Sequence, residues 1–243
     1  MLQPSNKSAA WSTDELVSFI CTEFKALADE TKAAPMAAYM KTDMPFYGIQ
    51  KPERIPVYKA MKQKFPAQSQ SQYESAIKAL WKLPRREDKY AALEFAKQNK
   101  RFITVKSYPL YRSLIVSGAW WDLVDDIATN LISDSYVVER QSINPIIEEW
   151  IDDKDMWIRR TAILAHNHHK AKTDWQQLSD HCLRRAHERE FFIRKAIGWA
   201  LREYSYANPQ AVKAFLQKNK AQLSPLSFKE GAKQLLRTGV MKT

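Results

Sequence analysis

The stretch Trp120-Trp121-Asp122-Leu123-Val124-Asp125 joins two indoles to a carboxylate within about one helical turn. On a helix, Trp121 and Asp125 stand at i and i+4, so a π surface and a negative charge face the same way. That pair suits a cation: the ring quadrupole attracts positive charge and the carboxylate complements it. Chemistry of this kind needs a rigid helix to present the pair and neighbouring elements to wall it in. The rest of the chain must supply both.

An internal repeat supplies them. Residues 153–165 (DKDMWIRRTAILA) and 188–200 (EREFFIRKAIGWA) share the order acid, base, acid, two large apolars, Ile, Arg and a further base, 35 positions apart. The same step toward the N-terminus aligns Leu123 and Ile127 with Ile158 and Ala162, and then with Ile193 and Ile197, an i, i+4 apolar stripe. A further step lands near Tyr90-Ala91-Ala92-Leu93. A two-helix unit of this length buries its apolar face only by stacking on its neighbours, which predicts an all-α solenoid of HEAT-like two-helix repeats, roughly six or seven units long. Such a solenoid is expected to curve, with a basic concave face.

Relative to the stripe, positions 121, 125 and 129 lie roughly 160–200° around the helix and therefore face outward. The slot of Asp125 holds Arg160 in the next unit and Lys195 in the one after, with Trp199 one turn beyond. Asp125, Arg160, Lys195, Trp121 and Trp199 are thus predicted to line one surface. The competing expectation is that both tryptophans pack between neighbouring repeats, because buried aromatics outnumber functional ones.

Composition agrees with helices and narrows the partners. Five glycines in 243 residues leave few tight turns, and no two stand close enough for a GxGxxG or Walker loop. Thirty-eight Lys and Arg against 27 Asp and Glu give a net charge of +11, which favours a polyanion, nucleic acid before anionic membrane. Cys21 and Cys182 form no disulfide framework or zinc pattern, and a reducing, cytoplasmic setting is expected. The first eight residues lack the apolar run of a signal peptide, and nowhere do about 18 apolar residues follow one another, so no membrane span is expected. Asn144-Pro145, Asn208-Pro209 and Ser224-Pro225 read as helix N-caps followed by a first-turn proline. Residues 1–12 are expected to be disordered and 13–243 to form a single domain.

Two other clusters could carry chemistry. His166, His168, His169, His181 and Cys182 suggest a metal, but the i, i+2, i+3 spacing splays ligands around a helix and no CxxC completes a tetrahedral site. A solvated histidine cluster and no metal are expected. The run Glu148, Glu149, Asp152, Asp153, Asp155 has no partner motif and reads as an exposed helix end.

Several ordered blocks carry a resemblance across nearly the whole chain. They include Met36-Ala37-Ala38-Tyr39-Met40-Lys41, Phe46-Tyr47-Gly48-Ile49-Gln50-Lys51-Pro52-Glu53-Arg54, Leu80-Trp81-Lys82-Leu83-Pro84-Arg85-Arg86-Glu87 and the Trp120–Asp125 stretch. Trp157-Ile158-Arg159-Arg160 and Arg194-Lys195-Ala196-Ile197-Gly198-Trp199-Ala200-Leu201-Arg202 complete them. In these blocks the chain resembles the alkylpurine DNA glycosylases built from HEAT-like repeats, the AlkD type. The resemblance implies a DNA repair glycosylase acting on cationic 3-alkyl and 7-alkyl purines in duplex DNA, without a deep base-flipping pocket. It puts the catalytic carboxylate on Asp125, the paired tryptophans on Trp121 and Trp199, the backbone-gripping arginine on Arg160 and the lesion-strand tyrosine on Tyr39. Gln50, Lys195, Arg194 and Arg202 complete the expected DNA-binding set. No cofactor is implied, and a monomer in the cytoplasm, associated with the nucleoid if bacterial, is expected. The alternatives are a repeat scaffold that binds nucleic acid or protein without chemistry, and a lyase using Lys195 as a Schiff-base nucleophile.

Overall fold

The computed structural model describes residues 11–242, and every regular element among them is helical. The chain divides between Phe102 and Ile103 into two compact units. The first holds α1 (Thr13–Ala26), α2 (Glu30–Met40), α3 (Lys51–Lys64), α4 (Gln70–Lys82) and α5 (Arg86–Gln98). The second holds α6 (Tyr108–Gly118), α7 (Trp121–Ile127), α8 (Ser133–Val138), α9 (Arg140–Trp150), α10 (Met156–Leu164), α11 (Trp175–Arg184), α12 (Phe191–Ser205), α13 (Pro209–Lys218) and α14 (Pro225–Arg237). No helix among the described residues is long and apolar enough to cross a membrane.

In the first unit, Leu16, Ile20 and Phe24 form the buried stripe of α1, whereas Leu27 falls on the C-cap and is exposed. Of the segment expected to be disordered, residues 1–10 lie outside the described residues. Trp11 and Ser12 are ordered, contrary to that expectation: the Trp11 indole donates to the Pro66 carbonyl at 2.8 Å and packs edge-on against Phe65 and Phe95. Ser12 forms a capping box with Glu15, which supplies two of the bonds that the first turn of a helix lacks. The turn before α3 rests on a buried carboxylate. Glu87 accepts the backbone amides of Tyr47, Gly48 and Ile49 at 2.9–3.0 Å, and Gly48 takes φ +89°, a value that side chains rarely tolerate. That clamp fixes the start of α3, where Gln50 stands.

In the second unit the 35-residue step is physical. Leu123, Ile127, Ile158, Ala162, Ile193 and Ile197 are all fully buried, and α7, α10, α12 and α14 pack in that order. Asn208 and Ser224 cap α13 and α14 as their Asn-Pro and Ser-Pro pairs predict, accepting from Ala211 and Ser227 at 3.0 Å. Asn144-Pro145 does not start a helix. Pro145 lies within α9, and the Asn144 carboxamide oxygen instead accepts from Tyr136 and Gln177. A proline in the second turn sacrifices one backbone bond, which tertiary hydrogen bonding here outweighs.

Gly198 sets the approach of α12 to α14. A methyl group at this position would stand 2.4 Å from Glu230 Cβ and 2.9 Å from the Ser227 carbonyl oxygen. Alanine is the better helix former by about 1 kcal/mol, yet backbone cannot yield as a flexible side chain does. Gly198→Ala is therefore expected to destabilise the protein by about 1–3 kcal/mol in urea unfolding; a variant as stable as wild type would show that the two helices can separate freely.

Candidate active site

A cleft of about 370 Å³ in the second unit is lined by Trp121, Asp125, Arg160, Phe191, Phe192, Lys195, Trp199 and Arg202. Three successive helices of the stack build it. α7 brings Trp121 and Asp125, α10 brings Arg160, and α12 brings the remainder. Trp121 and Trp199 are neither core nor fully exposed, which is the condition of aromatic walls open to a ligand. Trp120, the other indole of the pair, turns inward to Trp157 and Phe192, with ring centroids 6.1 and 5.5 Å away. Its buried indole nitrogen has no hydrogen-bond acceptor among the described residues.

Asp125 is held by a fork. Arg160 Nε donates to Oδ1 at 2.7 Å and Nη2 to Oδ2 at 2.9 Å, while Nη1 donates to the Phe192 carbonyl. The arginine is only 3% exposed and the aspartate side chain 17%, so the carboxylate looks into the cleft from a nearly sealed base. Burial raises the pKa of Asp125, and the hydrogen bonds and charge of Arg160 oppose that rise. In this structure the Arg160 fork is engaged by the Asp125 carboxylate, whereas the resemblance assigns this arginine to the DNA backbone.

The same slot continues one helix further. Lys195 Nζ lies 2.7 Å from Glu230, 35 positions on, and Arg202 Nη1 donates to the other Glu230 oxygen at 2.8 Å. Burial would raise the Glu230 pKa, but Lys195 and Lys233 hold it down at about 2. The slot residues Asp125, Arg160, Lys195 and Glu230 therefore pair their charges two by two. Arg194 does not line the cleft; its Nε donates to the Glu188 carbonyl at 3.0 Å. Tyr39, 77% exposed, and Gln50 lie in the first unit, on α2 and at the N-cap of α3.

Two lining residues were not singled out from the sequence. Phe191 is 58% exposed at the cleft, and Phe192 packs on Trp157 at 4.8 Å. The doubled apolar pair in each repeat, Met156-Trp157 and Phe191-Phe192, was the available signal. One member of the second pair completes an aromatic cluster and the other is left at the rim.

Just beyond Asp125 the α7 helix widens into a π-type stretch, Ala128–Ile132, before α8. The Thr129 hydroxyl donates to the Asp125 carbonyl at 2.7 Å and so ties the junction to the catalytic candidate's own backbone. Single π-turns of this kind re-aim side chains within a helix.

The two other clusters differ from expectation. Within this cluster His166, His169 and His181 are buried and His168 is exposed. His181 Nε2 lies 2.9 Å from Glu148 and its Nδ1 lies 3.2 Å from His166 Nε2, while His169 Nε2 meets the Ser133 carbonyl at 2.9 Å. With His181 donating to the carboxylate, its Nδ1 accepts from His166, a chain of neutral tautomers. No group of three or more His, Cys, Asp or Glu converges as a ligand set among the described residues. Four of the five residues of the acidic run are engaged, and Glu149 is exposed. Glu148 accepts from Gln177, His181 and Arg184, Asp152 takes Arg184 and Arg185, Asp153 takes Arg112, and Asp155 caps α10. The partners come mostly from the neighbouring repeat, out of sight of local reading.

Burial lowers the pKa of His166 and His181, and takes His169 to about 4 despite its bond to Ser133. The unfolded chain therefore binds protons more readily, so stability is full above about pH 6.5 and falls as pH drops toward 4. His169 alone should cost about 2 kcal/mol between pH 7.5 and 5. Urea unfolding of wild type and His169→Gln at the two pH values checks this; an equal drop in both would remove His169 from the account.

Comparison with known proteins follows the same line. No curated protein matches the chain. A solved structure described as a predicted DNA alkylation repair enzyme from Enterococcus faecalis is 31% identical, covering 86% of this chain and 96% of its own, with a TM-score of 0.77. Residues 20–235 match the family profile of the DNA alkylation repair enzymes. The cleft with its paired indoles and carboxylate thus sits in a chain that belongs to the DNA alkylation repair enzyme family.

Proposed function

We propose that the protein is a monofunctional DNA glycosylase that hydrolyses the N-glycosidic bond of 3-alkyl and 7-alkyl purines in duplex DNA. The observation that carries this reading is the Asp125 carboxylate, held by Arg160, in an open cleft that two half-buried indoles also line. A purine alkylated at N3 or N7 already bears positive charge and is an activated leaving group. It needs no general acid. The bond electrons pass to the ring, neutralising it, while the sugar acquires oxocarbenium character. Asp125 stabilises that charge and orients the water, whose oxygen bonds to C1′ and whose proton passes to the carboxylate or to solvent. The products are the free base and an abasic site.

Trp121 and Trp199 would hold the cationic base and the sugar edge by cation–π and C–H contacts of about 0.5–2 kcal/mol each. Arg160 acts as a positioning residue: its fork opposes the upward pull of burial on the Asp125 pKa and aims the carboxylate, since charge-assisted bonds to both oxygens favour the anion. Lys195 and Arg202, gathered by Glu230, offer cations to the DNA backbone. Tyr39, Gln50 and Arg194 are assigned to DNA binding as well. The cleft is open, which favours a lesion approached from its backbone side over one swallowed in a deep pocket.

Incubating the protein with methylated duplex and counting abasic sites tests the reading, with borohydride added to trap any Schiff base. Abasic sites without a covalent adduct are expected. An adduct would make Lys195 the nucleophile of a lyase, and absence of abasic sites would leave a binding scaffold.

A further inference from the structure

The first unit contains a second cleft, of about 400 Å³, lined among others by Lys32, Met36, Tyr39, Gln50, Arg54 and Tyr90. Arg54 is its anomaly. The residue is only 8% exposed, yet among the described residues it forms no ion pair; its one hydrogen bond there runs from Nη1 to the Tyr58 hydroxyl at 3.3 Å, and Nε has no partner among them. Its guanidinium lies over the Tyr90 ring, 4.4 Å from the centroid, with Tyr58 at 6.0 Å. No carboxylate is among the described residues that line the cleft, and those bonded to its lysine or to the turn before α3 are engaged there. Glu53 and Asp29 take Lys32 at 2.8 and 3.2 Å, and Glu87 takes three backbone amides. Arg160, a buried arginine of the second unit, by contrast has a carboxylate on its fork.

A buried guanidinium without a counter-charge is costly, and one that borders a cleft can be completed from outside. We propose that this cleft is a phosphate-binding site in which Arg54 is the principal ligand to the phosphate oxygens. The planar fork matches two oxygens of a phosphate ester, and the two tyrosine rings fix its plane. Gln50 adds a polar side chain at the mouth, and the exposed Tyr39 ring lies ready to cover the sugar or base that the phosphate carries. A backbone phosphate of DNA and a free phosphate ester share this chemistry.

Two measurements separate the sources. Inorganic phosphate at millimolar concentration, with ionic strength held by chloride, should raise the thermal midpoint of wild type saturably and that of Arg54→Met not at all; acetate should do nothing. Undamaged duplex should bind wild type with a log K against log salt slope steeper by about 0.9 than Arg54→Met, one phosphate's worth. A changed slope with no response to free phosphate assigns the site to DNA backbone, and the converse assigns it to a free ester. Arg54→Lys keeps the charge but loses the fork, and should weaken whichever response is found by about tenfold; it decides the matter if Arg54→Met does not fold. Identical phosphate responses and identical slopes in wild type and variant, or an equal effect of acetate, would overturn the proposal. The duplex measurement rests on DNA as substrate but uses no lesion, so it stands or falls independently of base release.

Discussion

Asp125→Asn is expected to lower the single-turnover rate of base release by about 10²-fold or more, with duplex affinity held within about threefold. The asparagine keeps the shape but loses the charge that the oxocarbenium sugar requires. It also leaves Arg160 buried beside a neutral amide, and breaking such a pair costs about 3–5 kcal/mol. Rates must therefore be compared on folded protein, with urea unfolding as the control. Arg160→Ala provides the companion test. Because Arg160 is sealed beneath the cleft, its removal should act through Asp125: the carboxylate pKa rises further, and the acid limb of the rate against pH profile moves upward. Affinity should change less than rate. An unshifted acid limb with affinity lost as heavily as rate would return Arg160 to the role of a backbone clamp.

Replacing Trp121 or Trp199 by Leu is expected to cost about 1 kcal/mol more on a cationic 7-alkylpurine than on a neutral damaged base of similar size, because cation–π attraction vanishes with the charge. Wild-type protein should also release hypoxanthine or uracil slowly or not at all. Neither neutral base is activated, and no group in the cleft is placed to protonate it: Lys195 and Arg202 are tied to Glu230 and Asp125 to Arg160. Excision from matched duplexes measures both effects. Efficient release of the neutral bases would mean that a general acid operates, and the charge-based mechanism would fail.

Much of the second unit was legible because its repeat has one period. The apolar stripe at Leu123, Ile158 and Ile193 locates the core, and the opposite face then brings Asp125, Arg160, Lys195 and Trp199 to one cleft. The same period held information that went unread. Residues 35 apart occupy adjacent slots, so Asp125 beside Arg160 and Lys195 beside Glu230 were predictable ion pairs, as the register suffices to place them. The slot is charge-balanced, because Glu230 follows Lys195 as Asp125 precedes Arg160. Burial of His166, His169 and His181 was not legible, because local spacing reports only how ligands splay on one helix. Their partners, Glu148 and Ser133, lie 33 and 36 residues away. Arg54 was visible as part of a motif, but its lack of a counter-charge is a property of three-dimensional neighbours alone.

In the proposed mechanism a carboxylate without a general acid suffices for a base that carries its own charge. The most direct test is single-turnover release of free base from duplex DNA containing 7-methylguanine, with wild type and Asp125→Asn assayed together. The account predicts release of the intact methylated base by wild type, leaving an abasic site, and a loss of about 10²-fold or more in the variant. Release at equal rates by both proteins, or by neither, would contradict it.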